Sequence, residues 1–173
     1  MDNKTKSLEE VIADRERYRM LVEHVSDWIW EVDQNGIYTY ASPQIKDILG
    51  YEPDEIIGRT PFDLMVPEEG ERIGPIFVHH VENKLPIKSL ENRNLHKDGQ
   101  EVILETSGSP ILDEEGNCIG YRGIDRDITL RKQEERKQQR LLDIIEANPE
   151  FISTFHIEGQ DYYYNPAAVS FLG

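Results

Sequence analysis

The chain has 173 residues, 38% of them hydrophobic and 31% charged, a composition that suits one globular domain with a sizeable core and long solvated helices. Its 34 acidic against 19 basic residues leave a net charge of −15, which repels a phosphate backbone and argues against nucleic acid as a partner. No stretch reaches the roughly 18 unbroken apolar residues that a membrane span requires. The opening Met1-Asp2-Asn3-Lys4 lacks the apolar run of a secretory signal, so a cytoplasmic location without direct membrane insertion is the expectation. The single cysteine, Cys118, permits no internal disulfide and no cysteine-based zinc cluster.

From Leu8 to Val25 the residues Leu8, Val11, Tyr18, Val22 and Val25 recur at three-to-four spacing, interrupted by Arg15. This spacing predicts an amphipathic flanking helix, assigned to residues 1–22, with Ser7 as N-cap and Glu10 completing a capping box. Asp27 to Asp33 alternates, with Trp28, Trp30 and Val32 on one face, and reads as a half-buried strand. Gln34-Asn35-Gly36 carries hairpin-turn chemistry, and Ile37 to Tyr40 is the returning strand. Between Ser42 and Asn83, Gly50, Pro53, Gly58, Pro61, Pro67 and Gly70 break the chain into short helices, ending in a longer helical run from about Glu71 to Asn83. Three further strands are predicted at Ile87–His96, Glu101–Leu112 and Cys118–Ile128, joined by Lys97-Asp98-Gly99 and by Asp113-Glu114-Glu115-Gly116-Asn117. Strands on both sides of a helical insert predict an α+β fold with a five-stranded antiparallel sheet and short helices on one face.

Leu130 to about Asn148 reads as a helical connector, residues 130–148, ending before Pro149. Its apolar residues gather at Leu141, Leu142, Ile144 and Ile145. Six basic residues (Arg126, Arg131, Lys132, Arg136, Lys137 and Arg140) lie at its start among Asp127, Glu134 and Glu135; the interleaved acids and the lack of aromatics read as a solvated helix face.

Sliding the sequence by 123 residues aligns Glu23–Gly50 with Glu146–Gly173, and seven of the 28 positions are identical. They include Gly36/Gly159, Tyr40/Tyr163, Pro43/Pro166 and Gly50/Gly173. Ungapped glycine, proline and aromatic matches predict that one backbone plan occurs twice: a complete domain over residues 23–129 and the start of a second over 149–173. The second copy lacks the three strands that would complete its sheet, so it is expected to be poorly ordered or to pair with another chain, in a parent protein that continues past Gly173.

Five short stretches, in order, resemble the PAS family with its C-terminal PAC extension, also called the S-box. They are Asp33-Gln34-Asn35-Gly36, Ser42-Pro43 with Leu49-Gly50-Tyr51, Gly58-Arg59-Thr60-Pro61, His96-Lys97-Asp98-Gly99, and Gly123-Ile124-Asp125-Arg126-Asp127-Ile128-Thr129. The resemblance implies the input region of a bacterial or archaeal signal-transduction protein with tandem PAS domains. A sensor histidine kinase of a two-component phosphorelay is the expected parent, with a cyclic-di-GMP enzyme or a transcription regulator as alternatives. It also implies a homodimer paired through the flanking helices and a downstream output domain.

No P-loop, kinase phosphoacceptor segment or paired metal ligands occur in the sequence, so catalytic and metal sites are expected to be absent from this segment. Strand parity nominates Trp30, Tyr40, Asn92, Asn94, Thr106, Tyr121 and Asp125 as residues lining a pocket for a small metabolite or organic anion. A pocket without a bound cofactor is the leading expectation, with mutual packing of these side chains in a ligand-free dimerisation scaffold as the bland alternative. The resemblance also raises haem, through His79 or His80 on the long helix. It raises flavin too, whose polar contacts would fall on Asn94, Leu104 and Asp125; Pro61 stands where a photoreactive cysteine would be. Asp127, Ile128 and Thr129, where the last strand becomes the connector, are the expected signal relay, with Asp127 or Thr129 capping the helix and Asp127 offsetting Arg131 and Lys132.

Overall fold

The computed structural model describes residues 26–155 and 162–172, so the expected N-terminal helix, with Ser7 and Glu10, lies outside the described residues. The chain divides into two units, Met1–Thr129 and Leu130–Gly173. In the first, strand β1 (Trp28–Asp33) buries Trp28, Trp30 and Val32 on one face, as its alternation predicts. Asp33 then closes the turn by accepting hydrogen bonds from the backbone of Asn35 (2.8 Å) and Ile37 (2.9 Å), while Gly36 takes the left-handed conformation at φ 76°. Strand β2 (Tyr38–Ala41) returns beside β1, with a bulge between Glu31 and Val32.

Three short helical pieces follow. Helix α1 (Ile45–Leu49) ends on Gly50 at φ 77°, helix α2 (Pro53–Ile56) opens with a Glu52/Glu55 capping box, and a single 3-10 turn spans Pro61–Asp63. The long helix α3 covers Pro67–Glu82, starting four residues before the expected Glu71. Pro67 sits in its first turn, where no N–H is needed and its fixed φ is already helical. Gly70 lies inside α3 rather than ending it, as does Pro75; Gly74 has no Cβ to oppose the ring of Pro75, which relieves part of the usual clash with the residue before a proline.

Strands β3 (Ile87–Leu95), β4 (Glu101–Leu112) and β5 (Cys118–Asp127) complete a sheet of order β2-β1-β5-β4-β3, antiparallel throughout. The α+β class and the five-stranded antiparallel sheet are thus as the sequence predicts. The last strand lies at the centre, between β1 and β4. Crowding there demands glycine: a Cβ on Gly123 would stand 2.3 Å from the Ser107 carbonyl and 2.6 Å from the Trp30 ring. Two polar anchors fix α3 over the sheet. Near its N-terminus the buried Glu69 carboxylate takes donors from Arg72, from the Arg93 backbone (3.1 Å) and from Arg93 Nε (3.2 Å). Burial alone would raise the pKa of Glu69, but these donors hold it below the ordinary carboxylate value. At the other end the Tyr121 hydroxyl donates within reach of two carbonyls, His80 (2.8 Å) and Leu85 (3.1 Å).

The second unit holds most of helix α4 (Thr129–Ala147), none of whose residues is buried, and a hairpin of β6 (Ser153–Phe155) and β7 (Tyr162–Tyr164) followed by α5 (Pro166–Leu172). Its local bonding repeats that of the first unit. Ser42 N donates to Ile29 O (2.8 Å) and Ile29 N to Ser42 Oγ (2.9 Å). At the same 123-residue offset, Asn165 N donates to Ile152 O (3.1 Å) and Ile152 N to Asn165 Oδ1 (3.1 Å). Two strand pairs repeat as well: Trp30↔Ala41 and Glu31↔Tyr40 against Ser153↔Tyr164 and Thr154↔Tyr163.

Candidate functional site

A partly open cavity of about 40 Å³ lies between the sheet and α3. Its apolar walls come from Val32, Ile87 and Leu90 of the sheet, Pro61, Phe62 and Met65 of the loop before α3, and Ile73 and Phe77 of α3. Ile73 and Phe77 are four residues apart and therefore share one helical face. The polar wall is Trp30, Tyr38, Asn92, Asn94, Thr106 and Asp125.

Trp30, Asn92, Asn94, Thr106 and Asp125 form one chain of hydrogen bonds. Asn94 Nδ2 donates to Asn92 Oδ1 (2.6 Å), and Asn92 Nδ2 donates to Thr106 Oγ1 (2.7 Å) and to the Leu90 carbonyl (3.0 Å). Trp30 Nε1 donates to Asp125 Oδ1 (2.9 Å), and the Thr106 side chain also bonds the Asp125 carboxylate. Pairing on the sheet explains the assembly: Thr106 stands opposite Asp125 across β4 and β5, and Leu90 opposite Thr106 across β3 and β4. Burial pushes the Asp125 carboxyl up to about 7, against the lowering effect of the Thr106 and Trp30 bonds and with a further push from the charge of Asp27. Burial, reinforced by Asp125 and Asp63, likewise holds the Tyr38 phenol well above its ordinary value.

Of the seven nominated lining residues, Trp30, Asn92, Asn94, Thr106 and Asp125 face this cavity. Tyr40 does not. It pairs with Glu31 and is exposed, because the bulge at Glu31/Val32 brings Tyr38 rather than Tyr40 to the inner face. Tyr121 is buried but serves as the anchor for the end of α3, not as lining. Tyr38 was not nominated, since only the bulge reveals its orientation; Phe77 was detectable through its i, i+4 relation to Ile73.

Neither His79 nor His80 lines the cavity; His79 is exposed, and the His80 ring bonds the Ile76 carbonyl of its own helix (2.7 Å). Leu104, at an expected flavin contact, is wholly buried in the hydrophobic core. A space of this volume admits about three water-sized groups, so the residues present fit neither haem nor flavin unless the walls part. Among the described residues no cluster of His, Cys, Asp or Glu is placed to hold a metal ion.

The expected relay residues form a tight junction. Ile128 is buried and its N–H donates to the Ile103 carbonyl (2.9 Å), while Ile103 N donates to Thr129 Oγ1 (2.9 Å). Asp127 Oδ1 accepts from Thr129 N (2.8 Å), so Asp127 caps the start of α4 and Thr129 ties it to β4. Two residues before Asp127, Asp125 lines the cavity. Among the described residues, no helix is long and apolar enough to cross a membrane.

The chain is 31% identical over 101 residues to the bacterioopsin transcriptional activator of Halobacterium salinarum, covering 58% of this chain and 15% of that protein. It spans 15% to 17% of the length of the curated relatives it matches. A solved PAS domain from Colwellia psychrerythraea superposes with a TM-score of 0.61 at 30% identity, over 67% of this chain and 98% of that one. A sensory box histidine kinase/response regulator from Burkholderia thailandensis does so with a TM-score of 0.58 at 23% identity, over 73% of this chain and 95% of that structure. The family profile described as the PAS fold matches residues 22–133, which include every described residue of the first unit, and the chain belongs to the PAS family.

Proposed function

We propose that this PAS domain is a sensory, non-catalytic module that senses a small molecule held in the cavity at Asp125 and relays its presence through Asp127, Ile128 and Thr129 into α4, toward an output domain of a longer regulator. The observation that carries this reading is the buried polar chain ending on Asp125, on the same strand as the helix junction and two residues before it. Occupancy that shifts β5 changes the geometry at Asp127 with no intervening loop. A histidine kinase is the proposed parent, acting as a homodimer paired through its flanking helices. Residues 149–172 are proposed to open a second PAS domain, supported by the repeated hydrogen bonds of Ser42 and Asn165. Apolar residues exposed there match buried ones in the first unit: Phe151 is 49% exposed and Trp28 1%, Leu172 60% and Leu49 0%. Strands equivalent to β3, β4 and β5 would cover that face.

The test uses the full-length protein with its output measured. Ile73→Phe, which fills the cavity from α3, is expected to remove the response to stimulus while the domain still unfolds cooperatively. Asp127→Ala is expected to leave ligand binding intact and uncouple it from output. If output responds normally in both variants, the domain is a ligand-free dimerisation scaffold.

A further inference from the structure

We propose that the cavity is a site for a small ammonium ion, a protonated amine or a methylated ammonium, seated against the Asp125 carboxylate with Trp30, Tyr38, Phe62 and Phe77 as aromatic walls. This rests on the reading of the cavity as the ligand site and names the class of ligand.

The polarity of the hydrogen-bond chain is fixed at one end. The Leu90 carbonyl can only accept, so the group of Asn92 facing it is the NH₂, which also serves Thr106. Asn92 Oδ1 must then accept from Asn94, leaving Asn94 with its own carbonyl oxygen. Thr106 has a lone pair engaged by Asn92 and sends its proton to Asp125, where the Trp30 N–H also ends. Two donors, the Thr106 hydroxyl and the Trp30 N–H, thus end on Asp125. The polar capacity left at the cavity is the Asp125 and Asn94 oxygens, the second N–H of Asn94 and the buried Tyr38 hydroxyl. An anion would meet the like charge of the Asp125 carboxylate there, and an uncharged ligand would leave that carboxylate without a counter-charge.

No Lys, Arg or His lines the cavity. The charged groups around it are committed elsewhere or carry the same sign. Asp27 on the flank of β1 is paired with Arg126 (2.8 Å). Asp63, in the turn before α3, accepts from Thr60. Glu69 on α3 is held by Arg72 and Arg93, and α3 itself offers the cavity only Ile73 and Phe77. A cation is therefore what the site lacks, and four aromatic side chains at its wall suit an ammonium. The volume of about 40 Å³ limits it to a few non-hydrogen atoms. Because Asp125 titrates at about 7, seating a cation expels a proton from it.

The test titrates this chain with trimethylammonium, ethylammonium, the uncharged tert-butanol and acetate at constant ionic strength, followed by calorimetry and by tryptophan fluorescence. Saturable binding of an ammonium probe is expected, about tenfold weaker at pH 6 than at pH 8 as the ionised fraction of Asp125 falls, and absent in Asp125→Asn. Should that variant fail to fold, the pH dependence of the unmodified chain decides the matter alone. Failure of both ammonium probes to saturate, affinity that does not fall with acidification, or binding of tert-butanol or acetate at equal strength overturns the proposal. Binding of tert-butanol alone would remove the ammonium class and keep the cavity as a ligand site. An unchanged output response in Ile73→Phe would remove the site itself.

Discussion

The Asp125 carboxyl is 5% exposed and titrates at about 7, against 3.8 for the ordinary side chain. The folded state therefore holds this proton more tightly than the unfolded chain. Between pH 4 and 7 the folded form binds more protons, so this residue makes stability fall as pH rises, and above about 7 its contribution levels off. The gap of about three pH units corresponds to roughly 4 kcal/mol as an upper bound. Glu69, Asp33 and Asp113 titrate below their ordinary values and act in the opposite direction, losing stabilisation as pH falls through their folded values. The difference between the unmodified chain and Asp125→Asn cancels those terms: the melting-temperature advantage of the variant is expected to grow from pH 4 to 7 and then stay constant. Gly123 makes a second residue-scale prediction. Gly123→Ala places a methyl group against the Ser107 carbonyl and the Trp30 ring and is expected to cost about 2–3 kcal/mol or more in urea unfolding, since neither a strand backbone nor a buried indole can yield. Trp30 and Asp125 were legible in the sequence through strand parity. Tyr38 was not, because a bulge shifts parity without leaving a residue signature.

At the scale of elements, the junction between β5 and α4 is held by three hydrogen bonds, Ile128 N to Ile103 O, Ile103 N to Thr129 Oγ1 and Thr129 N to Asp127 Oδ1. Thr129→Val removes the acceptor for the Ile103 N–H and is expected to cost about 1–3 kcal/mol, more than the roughly 1 kcal/mol of Asp127→Ala, which removes a helix cap at the surface. Chemical denaturation of the two variants distinguishes the values. Asn165 plays the corresponding part in the second unit. Its side chain accepts from Ile152 and Ala168 (3.0 Å) and lies within donor reach of the carbonyls of Ile145, Asn148 and Glu150. Asn165→Ala is expected to release the start of α5, seen as faster amide exchange at Ile152 and Ala168 with the first unit unaffected. Helix α3 shows why element boundaries were harder to read than element existence. Pro67 and Gly70 look like breaks in sequence, yet Pro67 initiates the helix and Gly70 lies inside it.

For the whole molecule, Leu141, Leu142 and Ile144 on α4 are exposed, and sedimentation of the chain is expected to show a dimer that Leu141→Glu with Ile144→Glu dissociates. A monomer in both forms would remove the flanking-helix dimer from the proposal. By itself the sequence determined the α+β class, the strand count, the repeat and the helical connector, because these follow from local periodicity, turn chemistry and spacing along the chain. The tertiary structure alone decided that β5 lies between β1 and β4, that Tyr38 and not Tyr40 faces inward, and that neither His79 nor His80 reaches the cavity. Those outcomes depend on which strands pair and where a bulge falls, interactions between residues as far apart as Trp30 and Asp125. The charge state of Asp125 is set in the same way: its chemistry is written in the sequence, and the burial that moves it toward neutrality exists only once the sheet and α3 have closed over it.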